Sequence, residues 1–331
     1  MLFKAILLER DNDRNFKCSI KSITKKQLFE QDGDTLIQIQ YSSINYKDAL
    51  ALTNKSPVVR LWPMVPGIDG VGTVISCESG RYKPGDLVIL NGWGCGESHW
   101  GCLSQYAYLK SEWLIPLPQD FTAQQAMAIG TAGYTAGLCV EKIIDHGVKP
   151  EQGNVLVTGA SGGVGSFSIA LLSKLGYRVT AMTSKVNEIQ YLQELGAVEI
   201  IDSLAFKEAG KPLQKECWSA VVDVLGSNVL ANACAQTQYG GIVSSCGLSL
   251  GLDFPSTVAP FILRGITLAG VDSVMTTYDK RISAWNMLAK CIDKELINHI
   301  FNMVPLSQCI EIANKMMLGQ IKGRFVIDVN S

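Results

Sequence analysis

Residues 155–165 read VLVTGASGGVG. The first four residues, apolar or β-branched, predict a strand buried on both faces. The glycines after them predict a tight turn, and the run from about 166 to 175 predicts a helix. A glycine-rich turn between a strand and a helix is the context in which G-x-G-x-x-G binds a dinucleotide. The first glycine of that pattern is Ala160 here, with Gly159 just before it, and the other two are Gly162 and Gly165. A glycine at 162 lets the backbone approach a pyrophosphate, and one at 165 lets the helix pack close against the strand. The helix N-terminus then offers unpaired N–H groups and the positive end of its dipole. Ser161, Gly162, Gly163 and Val164 are the candidate phosphate cradle. A tight turn that holds no ligand is the competing reading.

Downstream, residues 178–182 predict a second strand that runs into Thr183, Ser184 and Lys185. A site for NAD usually places Asp or Glu there to hold the ribose 2′-hydroxyl. Two hydroxyls and a cation suit a 2′-phosphate instead, so NADP(H) is expected over NAD(H). The alternative is that Lys185 is an ordinary solvated lysine. The nearest acid, Glu188, falls in the next predicted helix, 187–195, which Gly196 ends as a C-cap. Short apolar strands are predicted at 198–201, 220–224, 242–245 and 266–269. Alternating strands and helices of this kind make an α/β fold with a doubly wound parallel sheet.

Upstream the character differs. Residues 35–41 (TLIQIQY) alternate with period two, which predicts a strand with one buried and one wet face. Gly67, Gly70 and Gly72 punctuate PGIDGVGTVIS, a turn leading into a strand. Lys83-Pro84-Gly85-Asp86 is a turn signal before the strand LVIL. Short strands between glycine turns predict a partly open β-barrel. Residues 121–144 then read as helical. After about 275 the chain is more polar and helical, with a last strand candidate at 325–329.

A chain of 331 residues accommodates about two domains. It is 47% hydrophobic and 18% charged, which excludes a disordered chain or a coiled coil. The 29 basic and 30 acidic residues balance, so no field attracts nucleic acid or anionic lipid. The ten cysteines are scattered and form no C-x-x-C pair, and Lys4, Glu9 and Arg10 interrupt the N-terminal apolar stretch. Free thiols in a reducing cytoplasm are expected rather than a disulfide framework. The charge-free windows 121–140 and 154–173 contain polar residues and glycines and do not read as membrane spans.

With these segments in view, the chain resembles the medium-chain dehydrogenases/reductases, in which a GroES-like catalytic domain precedes a Rossmann domain. Within that superfamily it resembles the YhdH/AcuI type, the NADPH-dependent acrylyl-CoA reductases long labelled quinone oxidoreductases. The matching stretches are 42–50 (SSINYKDAL), 63–69 (PMVPGID), 91–101 (NGWGCGESHWG), 129–136 (IGTAGYTA), 158–165 (TGASGGVG), 260–264 (PFILR), 270–275 (GVDSVM) and 320–324 (QIKGR). The resemblance implies a catalytic domain at 1–122 and a Rossmann NADP-binding domain at 123–263. Residues 264–331 would complete the sheet and return to the catalytic domain.

Zinc enzymes of the superfamily hold their metal with Cys, His and Cys. Here the Gly-His-Glu type motif reads Gly67-Ile68-Asp69, and the first cysteine position falls near Asn45. No four-cysteine lobe exists, so no metal is expected. Cys95, His99 and Cys102 are the one local alternative, without an obvious fourth ligand. Without a Lewis acid, reduction of an activated C=C is favoured over that of a plain ketone.

Tyr46 sits where related enoyl reductases place a catalytic tyrosine, and its phenol is the candidate proton donor. The alternative is an aromatic packed against the cofactor. The resemblance adds Tyr46, Thr135, Leu248, Ser273 and Arg324 to the cofactor contacts. It also puts Gly133 at the nicotinamide cleft. Asn45 and Arg60 are substrate candidates, with Lys55 and Arg60 as anchors for the phosphates of CoA. The implied activity is NADPH-dependent reduction of acryloyl-CoA by a homodimer. A quinone or alkenal reductase, or an NADPH-binding protein with little turnover, are the alternatives.

Overall fold

The computed structural model describes residues 2–13 and 15–331. The chain divides into two units. One holds Met1–Thr131, Val274–Ile282 and Ile297–Ser331, and the other holds Ala132–Ser273 and Ser283–Leu296.

In the first unit, β1 (Leu2–Arg10) and β2 (Phe16–Thr24) pair antiparallel. They were not anticipated as strands. The start of β1 alternates, with Leu2 and Lys4 exposed between buried residues, but Ala5, Ile6, Leu7 and Leu8 are all buried, so the period-two signature is lost in its middle. The strands β3 (Thr35–Ser43), β4 (Asp69–Cys77), β5 (Leu87–Asn91), β6 (Tyr106–Leu109) and β7 (Leu114–Pro116) follow. The predicted alternation in β3 holds at Ile37, Gln38 and Ile39 and breaks at Leu36, which is also buried.

The second unit contributes β8 (Asn154–Val157), β9 (Arg178–Thr183), β10 (Ala197–Asp202), β11 (Trp218–Asp223), β12 (Thr237–Ser245) and β13 (Thr267–Gly270). They form one parallel sheet in the order β10-β9-β8-β11-β12-β13. Numbered within the unit this is 3-2-1-4-5-6, the doubly wound order that places its crevice at the switch between β8 and β11. Val155, Leu156, Val157, Val179, Ala220, Val221 and Val222 are fully buried, as a sheet covered on both faces requires.

The chain then returns to the first unit with β14 (Phe301–Pro305) and β15 (Arg324–Asp328). These extend its larger sheet in the order β14-β15-β3-β4-β5-β7, with β6 on β3. The strand β14 was not foreseen, because Asn302 and Pro305 break its apolar pattern.

The helix predicted at 121–144 spans Ala123–Asp145 with a break at Gly130, whose φ is 48° and ψ −157°. A side chain there would meet Asp69 Oδ2 at 2.5 Å and Arg324 Nη2 at 2.7 Å, so only glycine fits. The helix predicted at 187–195 is a 3₁₀ turn, Val186–Glu188, followed by Ile189–Glu194. Among the described residues no helix is long and apolar enough to cross a membrane. All ten cysteines are unpaired.

Candidate active site

In the second unit, β8 feeds the turn 158–162 and the helix Gly163–Lys174, with Gly162 at its N-cap. The helix therefore starts three residues earlier than the sequence suggests. Gly159 takes the left-handed conformation that the turn demands, with φ 57°. A Cβ on Gly165 would lie 2.4 Å from Gly159 O and 2.7 Å from Ala160 Cα. The helix thus packs on the turn as the motif requires. A Cβ on Gly162 would meet one atom, Gly159 O, at a tight 3.3 Å, far less crowding than at Gly165. The amides of Gly163, Val164 and Gly165 have no acceptor among the described residues. This cradle fits a pyrophosphate.

The turn and the end of β9 lie side by side, since the Ser161 and Thr183 hydroxyls are 3.3 Å apart. The Lys185 amide donates to Thr183 Oγ1 at 3.1 Å, which curls the segment after β9 around that hydroxyl. Ser161, Gly162, Gly163, Val164, Thr183, Ser184 and Lys185 are thus gathered at one end of the sheet. At the ends of β12 and β13 an open cavity of about 530 Å³ is lined by Ser245, Cys246, Leu248, Gly270 and Asp272. Leu248 is 60% exposed, and Ser273 follows the lining residue Asp272. Thr135 is buried in the long helix.

In the first unit the buried Asp69 organises the neighbourhood of Tyr46. Its Oδ1 accepts from Asn91 Nδ2 and Thr131 Oγ1, both at 2.6 Å. Its Oδ2 accepts from Ser43 Oγ and Asn45 Nδ2 at 2.7 Å and from the Thr131 amide at 2.8 Å. Arg324 Nη2 is 3.9 Å away. The Arg324 guanidinium donates to Ala128 O at 2.9 Å, Asn45 Oδ1 at 3.0 Å and Ser43 Oγ at 3.1 Å. Arg324 is 4% exposed, a cation bound inside the fold of this unit. Both ends of the Asn45 amide are likewise taken by Asp69 and Arg324.

Asn45 precedes the helix Tyr46–Leu52, and its amide donates to Asp48 Oδ2 at 2.9 Å. The other oxygen of Asp48 accepts from the Ile68 amide at 3.0 Å. Burial pushes the Asp48 carboxyl up to about 6, against the pull of these amides and with a further push from Asp69. Tyr46, the first residue of that helix, is 47% exposed, and its hydroxyl has no partner among the described residues. A short, doubly anchored helix start thus presents a free phenol. Asp69 and Asp48 were not read as site residues; an Asp inside the apolar run PGIDGVG was the available signal.

Arg60 is exposed, and its Nε pairs with Glu97 Oε1 at 2.8 Å; Lys47 pairs with the other oxygen of Glu97. Lys55 lies exposed in the turn after the helix. The ring nitrogens of His99 lie 2.8 Å from Trp100 O and 2.9 Å from Asp32 O. Both are engaged by carbonyl oxygens, and burial raises the Cys95 and Cys102 thiols. Among the described residues no three His, Cys, Asp or Glu side chains are grouped to hold a metal.

Two family models match the chain, the alcohol dehydrogenase GroES-like domain over residues 31–119 and the zinc-binding dehydrogenase over 163–294. The chain is 43% identical to the probable acrylyl-CoA reductase AcuI of Escherichia coli, covering 99% of this chain and 100% of that one. It is 41% identical to the acrylyl-CoA reductase AcuI of Ruegeria pomeroyi, with both covered in full. The crystal structure of the yhdH oxidoreductase of Salmonella enterica in complex with NADP is 42% identical. It superimposes with a TM-score of 0.96 over 99% of this chain and 100% of that one. The chain belongs to the medium-chain dehydrogenase/reductase superfamily and, within it, to the YhdH/AcuI type.

Proposed function

We propose that the chain is an NADPH-dependent reductase of the activated C=C of acryloyl-CoA, or of a similarly small enoyl thioester. The carrying observation is the full-length identity of 43% and 41% to two acrylyl-CoA reductases, together with the cradle at Gly162. NADPH, when bound, supplies a hydride to the β-carbon, and the α-carbon takes a proton, giving the propanoyl thioester. Ser161, Gly162, Gly163 and Val164 hold the pyrophosphate, and Thr183, Ser184 and Lys185 hold the 2′-phosphate. Tyr46 donates its phenolic proton as negative charge develops on the thioester oxygen and α-carbon. Arg60, exposed beside Glu97, and Lys55 are the candidate anchors for the CoA phosphates.

The working state is a homodimer in the cytoplasm. The unpaired thiols fit a reducing compartment. The edge strand β13 and the exposed Val258, Ile262 and Leu263, which precede it in the chain, fit a second copy.

NADPH oxidation measured side by side with acryloyl-CoA, crotonoyl-CoA and a quinone tests this reading. Acryloyl-CoA is expected to give the highest kcat/KM. A higher value with the quinone would replace the proposal by a quinone reductase, and no turnover with any would leave only NADPH binding. Tyr46→Phe keeps the ring and removes the hydroxyl. Its kcat is expected to fall by about 10²–10⁴-fold with NADPH affinity unchanged. A fall within about fivefold would make Tyr46 a packing residue.

A further inference from the structure

The acid that the sequence places beyond the cofactor segment is folded back onto it. The 3₁₀ turn Val186–Glu188 is closed by the Glu188 amide, which donates to Lys185 O at 3.1 Å. This brings Glu188 Oε1 to 3.6 Å from Lys185 Nζ. The Glu188 residue is 9% exposed, whereas the Lys185 side chain keeps 37%. The second carboxylate oxygen, Oε2, is buried without a hydrogen-bond partner. The Tyr191 phenol, close to Glu188, donates to Ser166 Oγ at 2.9 Å.

A buried, unpaired carboxylate oxygen is unfavourable, and it is relieved by any donor that arrives. The two nicotinamide cofactors differ at the position that Lys185 is suited to hold. A ribose 2′-hydroxyl brings a donor. A 2′-phosphate brings negative charge and no donor, so it is repelled by Glu188 and must compete with it for Lys185.

We propose that Glu188 is a specificity-determining residue of the cofactor site. Its pairing with Lys185 and its unpaired oxygen narrow the preference for NADPH over NADH that Lys185 creates. The inference rests on the NADPH reading above. Lys185 provides the attraction for the extra phosphate, and Glu188 limits how strongly that attraction is expressed.

The test is the dissociation constants of NADPH and NADH, from quenching of the fluorescence of the six tryptophans. They are measured for the wild type, Glu188→Gln, Glu188→Ala and Lys185→Ala. The ratio of the two constants is read, because a partly unfolded variant lowers the signal from both cofactors alike. Glu188→Gln and Glu188→Ala are each expected to raise the preference for NADPH by about threefold to tenfold. Lys185→Ala is expected to lower it. A preference that stays within about twofold of the wild type in both Glu188 variants, or falls, overturns the assignment. If the wild type holds both cofactors equally and Lys185→Ala changes nothing, the NADPH reading itself fails.

Discussion

Asp48 shows at the scale of one residue how the network under Tyr46 is balanced. Its carboxyl is fully buried and titrates near 6, against an ordinary value of 3.8. The folded state therefore binds its proton more tightly than the unfolded state. Above about pH 6 the buried charge destabilises the fold in full, and as the pH falls from 6 towards 4 that cost is removed. Asp48→Asn has no proton to bind, so the difference in stability between wild type and variant isolates this residue from the other carboxylates. The wild type is expected to gain on the variant by up to about 2 kcal/mol between pH 7.5 and 4.5. Parallel urea-unfolding stabilities for both proteins over that range measure it, and a difference independent of pH would refute it.

Tyr46, Asn45 and Lys185 stood out in the sequence because short motifs carry them. Asp48, Asp69 and Glu188 were given no role in the site, because what marks them is the burial of a charge, which depends on chain segments far away. Asp69, for instance, meets Thr131, 62 residues on, and Arg324 near the end of the chain.

At the scale of elements, the strand, turn and helix around 155–174 could be read almost entirely from sequence, since each glycine there answers a local demand. The structure separates what two of them do. Gly165 is pressed against backbone atoms that cannot give way, whereas a Cβ on Gly162 would crowd a single atom, Gly159 O at 3.3 Å. Gly165→Ala must shift the helix from the turn and is expected to lose about 1–3 kcal/mol of stability. Gly162→Ala, at φ −79°, is expected to fold with nearly the wild-type thermal midpoint and to bind NADPH at least about tenfold more weakly. Thermal melts and cofactor titrations of the two variants check the contrast. Equal midpoints for Gly165→Ala and wild type would show that the turn tolerates a methyl group.

The elements that escaped the sequence, β1, β2 and β14, lack such local marks. The middle of β1 is buried on both faces, β2 is its partner by long-range pairing, and β14 is short and ends in proline. Their status as strands comes from partners rather than from their own pattern.

At the scale of the whole molecule, the balanced charge left no steering field to read, and the surface signal is apolar instead. Between residues 248 and 263 seven large apolar side chains are exposed: Leu248, Leu250, Leu252, Phe254, Val258, Ile262 and Leu263. Exposures of 86% at Leu252 and 72% at Ile262 are high for side chains that gain by leaving water. They lie in one stretch of the second unit, just before β13, which has a neighbour, β12, on one side only. An uncovered edge strand and exposed apolar side chains each favour association, and a two-fold pairing of identical surfaces would cover them. Sequence alone left this at the level of an expected homodimer, because periodicity shows which residues are apolar and not which are left uncovered. If a second copy covers the patch, sedimentation equilibrium of the wild type gives twice the chain mass of 35.9 kDa. Ile262→Glu places a charge in the buried contact and is expected to give a folded species of single-chain mass, with the wild-type circular dichroism spectrum. A wild type that sediments at the single-chain mass, or a variant that remains dimeric, would show that the patch serves another purpose.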